Sequence, residues 1–562
     1  MTIGLSIESR NRAQYGADWG DYVSFATHAR EKAEADGTDL LLIDTGDRIE
    51  GNGLYDASDP KGRYTADIFK SQHIDLLCSG NHELYKQNSS EDEYLITVPN
   101  FKGNYISSNI EIIDPKTGDL VPLGPKFKKF TTKIQGIRIV AFGFLFDFKD
   151  NYNNTVVQSV EETITQKWFQ EAIQDREVDL FLVIGHVPVQ SKEYNAIFKA
   201  IRGANWDTPI QFFGGHHHIR DYVKYDDKSY GLASGRFMET VGFMSISGLS
   251  ASGKKPTGPL SFNRIYIDNN LWSFHHHTNL NETTFSTAKG RNVSEMILKA
   301  RHVLNLDKLY GCSPKTLWMS RATYPSDDSI YTWLEKKVLP STLRGERPAM
   351  AIVNTGAIRF DLFKGKVTED STYILSPFTG GFRFTKDVPY AKAVKILEVL
   401  NKAPQILAQR SAGAISSSTF LVPPEQLSRT NDVDSTLEHD QVRFDTSNFS
   451  SSDAETDLIP GYTTKDAAGT DGDDTIHSPI SFHRLPNCIQ AFIPASKSEK
   501  RFTKPDTVDL IYLEFIEPFI DVAAKFVGLD FDVKKDTAEY KPGSSLRSVI
   551  VNWVKKNWKC EE

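Results

Sequence analysis

Four times in this chain a short apolar run stops and is followed almost at once by glycine and a side chain able to hold a metal ion. Residues 73–78 lead into Ser79-Gly80-Asn81-His82-Glu83, and residues 40–43 lead into Asp44-Thr45-Gly46-Asp47. Residues 180–184 lead into Gly185-His186, and residues 210–213 into Gly214-Gly215-His216-His217-His218. Runs of this length and composition read as buried strands. Glycine accepts positive φ and lets backbone approach a bound ion or phosphate. In open α/β sheets, ligands and catalytic groups collect at the carboxyl ends of strands. Each segment alone looks like an ordinary turn. Packing gives no reason for four strand ends to supply Asp, Asn, His and a His-x-His pair.

A chain of 562 residues is longer than one core supports, so two domains are expected. An apolar share of 39 % is ample for two cores, and a net charge of −8 argues against general affinity for nucleic acid or anionic membranes. No run of 18 apolar residues occurs, so no membrane span is expected. Cys78, Cys312, Cys488 and Cys560 are too scattered for a zinc ribbon or a disulfide scaffold. They allow one disulfide whose pair the sequence does not choose. N-x-S/T sequons at Asn88, Asn153, Asn281, Asn292 and Asn448 point to the secretory route, vacuolar or extracellular, although the first ten residues do not read as a signal peptide.

Periodicity predicts a helix over 20–35, a hairpin turn at 114–118, a strand over 136–145 and a helix over 159–173 with Trp168 and Phe169 inward. Strands at 229–236, 243–247 and 263–267 follow, and the βα units ahead of them suggest two sheets packed face to face with outer helices. His275-His276-His277 reads as a solvated strand end, and His217 as a turn residue. Residues 287–303 form a helix-like connector and natural hinge. Further on come strands at 349–353 and 372–375, a polar insertion near 405–474, and helices over 510–527 and 545–558.

The ordered set Asp47, Gly80-Asn81-His82-Glu83, Gly185-His186 and Gly215-His216-x-His218 resembles four of the five metallophosphoesterase blocks. Asn354-Thr-Gly-Ala-Ile-Arg359 and Pro377-Phe378-Thr-Gly-Gly-Phe382 resemble two blocks of the 5′-nucleotidase carboxyl-terminal domain. The resemblance is closest to the fungal 5′-nucleotidase-like branch. It implies a two-sheet metallophosphoesterase α/β sandwich over 1–285, a linker helix over 286–310 and a smaller α+β specificity domain over 311–562.

It also implies hydrolysis of nucleotides or related phosphomonoesters with two divalent metals, zinc or manganese, since oxygen and imidazole donors suit both. Asp47 would bridge the metals, Asn81, His186 and His216 would complete one shell, and His218 would belong to the other. His82 would be the general acid, or would stabilise charge on the phosphoryl group, Arg359 would contact the substrate's phosphate or its other polar groups, and Phe382 would stack on the base. The second stacking aromatic is not placed; Gly469 to Gly472 is a candidate loop for it by composition alone. The family's first block, Asp-x-His, should precede Tyr15-Gly16 and is not in this sequence. Either the sequence begins downstream of it, or the chain is an inactive nucleotide-binding or scaffold paralogue. In both cases about one tightly held metal is expected. Oligomeric state is not legible.

Overall fold

The structure is a computed structural model that describes residues 16–251, 258–402, 421–426, 458–460, 481–495, 504–530, 532 and 535–560. Most of the polar stretch at 405–474, the 469–472 loop, the Asn448 sequon and the first fifteen residues lie outside these. Contacts divide the chain into two units. One is built from the segment ending at Glu50 and from Ala57–Leu304; the other takes Gly51–Asp56, Asn305–Pro460 and Ile480–Glu562.

The first unit is organised on a six-stranded sheet. Its order is Arg220–Asp226, Ser229–Ser234, Ile210–Gly214, Leu180–His186, Arg138–Leu145, Phe127–Thr131. The three strands from Ile210–Gly214 to Arg138–Leu145 run parallel, so their carboxyl ends share one edge. These strands are apolar on both faces because both are covered. Phe142, Phe144, Phe181 and Val183 face a layer with Phe169, Tyr194 and Ile197 from the helices. Ile139, Ala141, Leu182 and Ile184 face Leu76, Cys78 and Ile106, with Ile43 and Ile246 packed alongside. That opposite layer is thin: Ile43–Asp44 pairs in parallel with Leu76–Leu77, and Thr240–Ser247 pairs antiparallel with Ser261–Asp268.

The helix Trp19–Ala35 begins at a capping box between Asp18 and Asp21. The segment read as a connector is the helix Ala288–Val303, packed on Trp19–Ala35 so closely that a Cβ on Gly20 would lie 2.2 Å from Gly290 O. The hairpin turn at 114–118 joins Ile110–Ile113 to Leu120–Pro122 as expected. The helix over 159–173 is broken at Gln166 into Val160–Thr165 and Lys167–Ile173.

Three expectations are corrected. His275 to His277 lie on a helix, Leu271–Thr278, because the Asn270 side chain accepts from Ser273 N at 2.8 Å and Asn279 closes the helix in the left-handed conformation. Residues 372–375 belong to the helix Glu369–Leu375, started by a Thr368–Ser371 capping box. The region 510–527 is not one helix. Thr507–Leu513 is a buried central strand, and a helix starts only at Glu517–Phe526, with a proline in its first turn.

The second unit is built on a five-stranded sheet ordered Cys488–Ile493, Ala349–Asn354, Thr507–Leu513, Gly381–Pro389, Ala538–Ser545. Its carboxyl-terminal helix Leu546–Asn557 packs there, and a Cys312–Cys560 disulfide ties the end of the chain to the strand Leu309–Ser313.

Candidate functional site

His186 ends one of the parallel strands, and His216 lies two residues beyond the next. Asp47 and Asn81 follow the paired short strands Ile43–Asp44 and Leu76–Leu77. These strand ends converge. Ligand-type atoms of Asp47, His186 and His216 all lie within 4.8 Å of one another, with Asp47 Oδ2 2.8 Å from His186 Nε2. His186 Nδ1 is 3.0 Å from Thr45 O, which accepts its N–H and leaves the Nε2 lone pair aimed at the cluster. The His216 ring stacks on Phe146 at 4.2 Å.

The left-handed turns fall on the functional residues themselves rather than mainly on the glycines. Asp47, Glu50, His216 and His218 have φ of 59°, 62°, 76° and 56°. Such positions cost energy in non-glycine residues and gather at working sites. Glycine is still required where the two short-strand loops meet. Gly46 has φ of 89°, and a Cβ there would lie 2.3 Å from Gly80 N; one on Gly80 would lie 2.1 Å from Asp47 Oδ1.

A buried carboxylate fastens these loops together. Glu83 Oε2 accepts from Asp47 N at 3.1 Å and Gly80 N at 2.9 Å, while Oε1 accepts from Arg48 N at 2.7 Å. Beneath it the Arg48 guanidinium donates to Asp44 Oδ1 at 2.9 Å and Cys78 O at 2.7 Å, and it pairs with Glu93.

Electrostatics prepare the donors for a cation. Burial by itself raises the Asp47 carboxyl, but the His186 and His82 imidazoles outweigh it and hold it well below the usual carboxylate range. Burial, with His186 and His217 nearby, keeps His216 well below the ordinary imidazole value, hence neutral with a lone pair to give. The Asn81 side-chain oxygen is buried and has no hydrogen-bond partner. A buried acceptor left open beside the Asp47 carboxylate and the imidazoles of His186 and His216 fits a divalent cation.

His82 sits beside this cluster without joining it. Its Nδ1 is 3.0 Å from Glu50 Oε2, and its Nε2 points toward Asp47 Oδ2 at 4.0 Å. Glu50 also accepts from Lys86 Nζ at 2.6 Å. Against the upward push of burial, His82 and Lys86 bring the Glu50 carboxyl down to about 2. The sequence reading missed Glu50; its signal was a carboxylate three residues after Asp47 in Gly-Asp-Arg-Ile-Glu. His218 packs edge-on against Phe237 at 5.2 Å and is not in the cluster with Asp47, His186 and His216.

In the second unit Arg359 lies just past the strand Ala349–Asn354 and its short following turn. Its guanidinium is 4.9 Å from the centre of the Phe378 ring. Phe382, expected to stack on a base, is 0 % exposed inside the core. It lies on the strand Gly381–Pro389, between Leu513 and Tyr540 on its two neighbours, and has no free face. Phe378, half-buried, is the aromatic of that motif beside Arg359. Pro377, two residues past the helix Glu369–Leu375, is still buried, and the chain emerges at Phe378 and the exposed Thr379 and Gly380.

Comparison with known proteins agrees with these two halves. Residues 17–220 match the calcineurin-like phosphoesterase family, and residues 316–521 match the carboxyl-terminal domain of NAD nucleotidase. The crystal structure of a 5′-nucleotidase from Candida albicans superposes with a TM-score of 0.81 at 37 % identity, covering 99 % of this chain and 97 % of that one. An uncharacterised Schizosaccharomyces pombe protein is 37 % identical over 532 residues, 90 % of this chain and 80 % of its own. A protein of Arthroderma benhamiae named a secreted protein is 35 % identical over 552 residues, 89 % of this chain and 81 % of its own. The chain belongs to the calcineurin-like phosphoesterases that carry a 5′-nucleotidase-type carboxyl-terminal domain.

Proposed function

We propose that this chain hydrolyses phosphomonoesters of the nucleotide class, with a divalent cation held by Asp47, Asn81, His186 and His216. The observation that carries this is the open, buried Asn81 oxygen beside the clustered Asp47, His186 and His216 donors, next to an imidazole fixed by a carboxylate. A bound divalent ion supplies Lewis acidity to the phosphoryl oxygens and a more acidic water at neutral pH. Glu50 holds the proton on His82 Nδ1, so Nε2 is the ring atom left to exchange a proton with the leaving alkoxide. The buried surroundings of Asp47 and Asn81 exclude bulk water.

Arg359 and Phe378 give the second unit a cation and an aromatic face, the pair that suits a polar, planar substrate end. Among the described residues His218 is outside the cluster and the clustered ligand set suits one ion, and we infer one tight metal per chain. Passage through the secretory route is supported by the Cys312–Cys560 disulfide, by exposed sequon asparagines Asn88, Asn153, Asn281 and Asn292, and by the secreted relative. No described helix is long and apolar enough to cross a membrane.

The test is release of phosphate from a nucleoside monophosphate by chelator-stripped protein before and after Mn²⁺ is restored, with His82→Ala alongside. Metal-dependent release, reduced about 10²–10⁴-fold in His82→Ala without loss of bound metal, is the expected result. Equal release by stripped and restored protein, or metal loss in His82→Ala, would overturn the assignment.

A further inference from the structure

Asn81 is a ligand with a wrong way round. A carboxamide presents either its oxygen or its NH₂ group, and only the oxygen can take a cation. The Asn81 side chain is buried, so water does not select between the two. Something in the protein must. Its Nδ2 donates to Tyr85 Oη at 3.0 Å, while Oδ1, on the opposite side of the same amide, is the open acceptor of the cluster. Tyr85 comes directly after the short 3₁₀ turn His82–Leu84, which places its ring back over the Asn81–His82 pair. The ring is held there edge-on to His82, with centroids 5.2 Å apart, and edge-on to the fully buried Phe148 at 5.3 Å.

We propose that Tyr85 is a positioning residue for the metal centre: its hydroxyl accepts the Asn81 amide N–H and so turns the Asn81 oxygen toward the ion. The inference rests on the metal-binding reading above, and its test separates the two. Hydrogen-bond partners of ligands commonly change metal affinity by about 10–100-fold when removed. Tyr85→Phe keeps the ring and its contacts with His82 and Phe148 and removes only the hydroxyl. Asn81→Asp replaces the amide by a carboxylate, whose two oxygens have no wrong side and need no donor to orient them.

The experiment is calorimetric titration of the chelator-stripped full chain with Mn²⁺ for the wild type, Tyr85→Phe, Asn81→Asp and the double variant, with thermal unfolding of each stripped protein. The expected result is an affinity about 10–100-fold weaker in Tyr85→Phe, with the stripped melting temperature nearly unchanged, and no further weakening when Tyr85→Phe is added to Asn81→Asp. Wild-type affinity in Tyr85→Phe would overturn the proposal, as would an equal penalty in the Asn81→Asp background, since the hydroxyl would then act other than through the amide. Parallel losses of affinity and stripped-protein stability would assign Tyr85 to folding instead and also overturn it. If the wild type itself takes up no Mn²⁺, the metal reading fails first and this proposal with it.

Discussion

Replacing Glu83 by Gln tests how the two short-strand loops are held in register. The carboxylate is fully buried and accepts three backbone N–H groups, from Asp47, Arg48 and Gly80. Glutamine keeps one carbonyl oxygen. Set in the place of Oε2, that oxygen retains Asp47 N and Gly80 N, and the new NH₂ group then faces the Arg48 N–H, donor against donor. One buried N–H left without an acceptor costs about 1–3 kcal/mol. Arg48 also loses a negative neighbour 3.9 Å from Nη2, although Asp44 and Glu93 still pair with it. The sum is about 2–3 kcal/mol, a sizeable part of the roughly 5–15 kcal/mol that holds a domain. In a domain of this size it lowers the melting temperature by about 4–10 °C. Because Arg48 directly follows Asp47 and its N–H is the one left without an acceptor, the Asp47 turn loosens and Mn²⁺ affinity falls as well. Thermal unfolding by circular dichroism and Mn²⁺ titration of the stripped chain measure both. A melting temperature within a degree of wild type, with unchanged Mn²⁺ affinity, would refute the clasp.

Phe378→Ala is expected to raise KM for a nucleoside monophosphate by about 5–100-fold, the range for one lost base stack, with little change in stability. Phe382→Ala is expected to destabilise by about 3–5 kcal/mol as a core truncation; the opposite pattern in the two variants would return the platform to Phe382. Burial, with Asp18 beside it, raises the Asp21 carboxyl to about 6. A group raised by folding contributes most below its unfolded value and loses that contribution as pH rises through the folded one, so stability should decline between about pH 4 and 6. Asp21→Asn should flatten that decline and add about 1–2 kcal/mol at pH 7, read from urea unfolding across pH. Cys312→Ser opens a link across 248 residues and is expected to cost the second unit about 2–5 kcal/mol, seen as a lower melting temperature that reductant no longer shifts.

What the sequence made legible was the periodic and the local. Apolar runs ending in glycine placed Asp47, Asn81, His186 and His216 at strand ends, and the hairpin at 114–118 followed from turn chemistry. Residues whose role depends on a distant neighbour were harder. Glu50 matters because His82, 32 positions away, turns its Nδ1 toward it. Phe382 and Phe378 differ by four positions in one motif, and only the sheet order decides which is core. The run 510–527 has apolar residues that satisfy either period, and the proline near Glu517 divides strand from helix. His275 to His277 looked strand-like until the Asn270 cap was counted.

Direct titration of the chelator-stripped chain with Mn²⁺, paired with Asp47→Asn, decides whether Asp47, Asn81, His186 and His216 hold a divalent cation. The expected result is about one tightly bound ion per chain, abolished in Asp47→Asn while the fold by circular dichroism persists. Two equally tight ions would mean that residues beyond this cluster complete a second site. No tight ion, or uptake that survives loss of Asp47, would contradict that assignment.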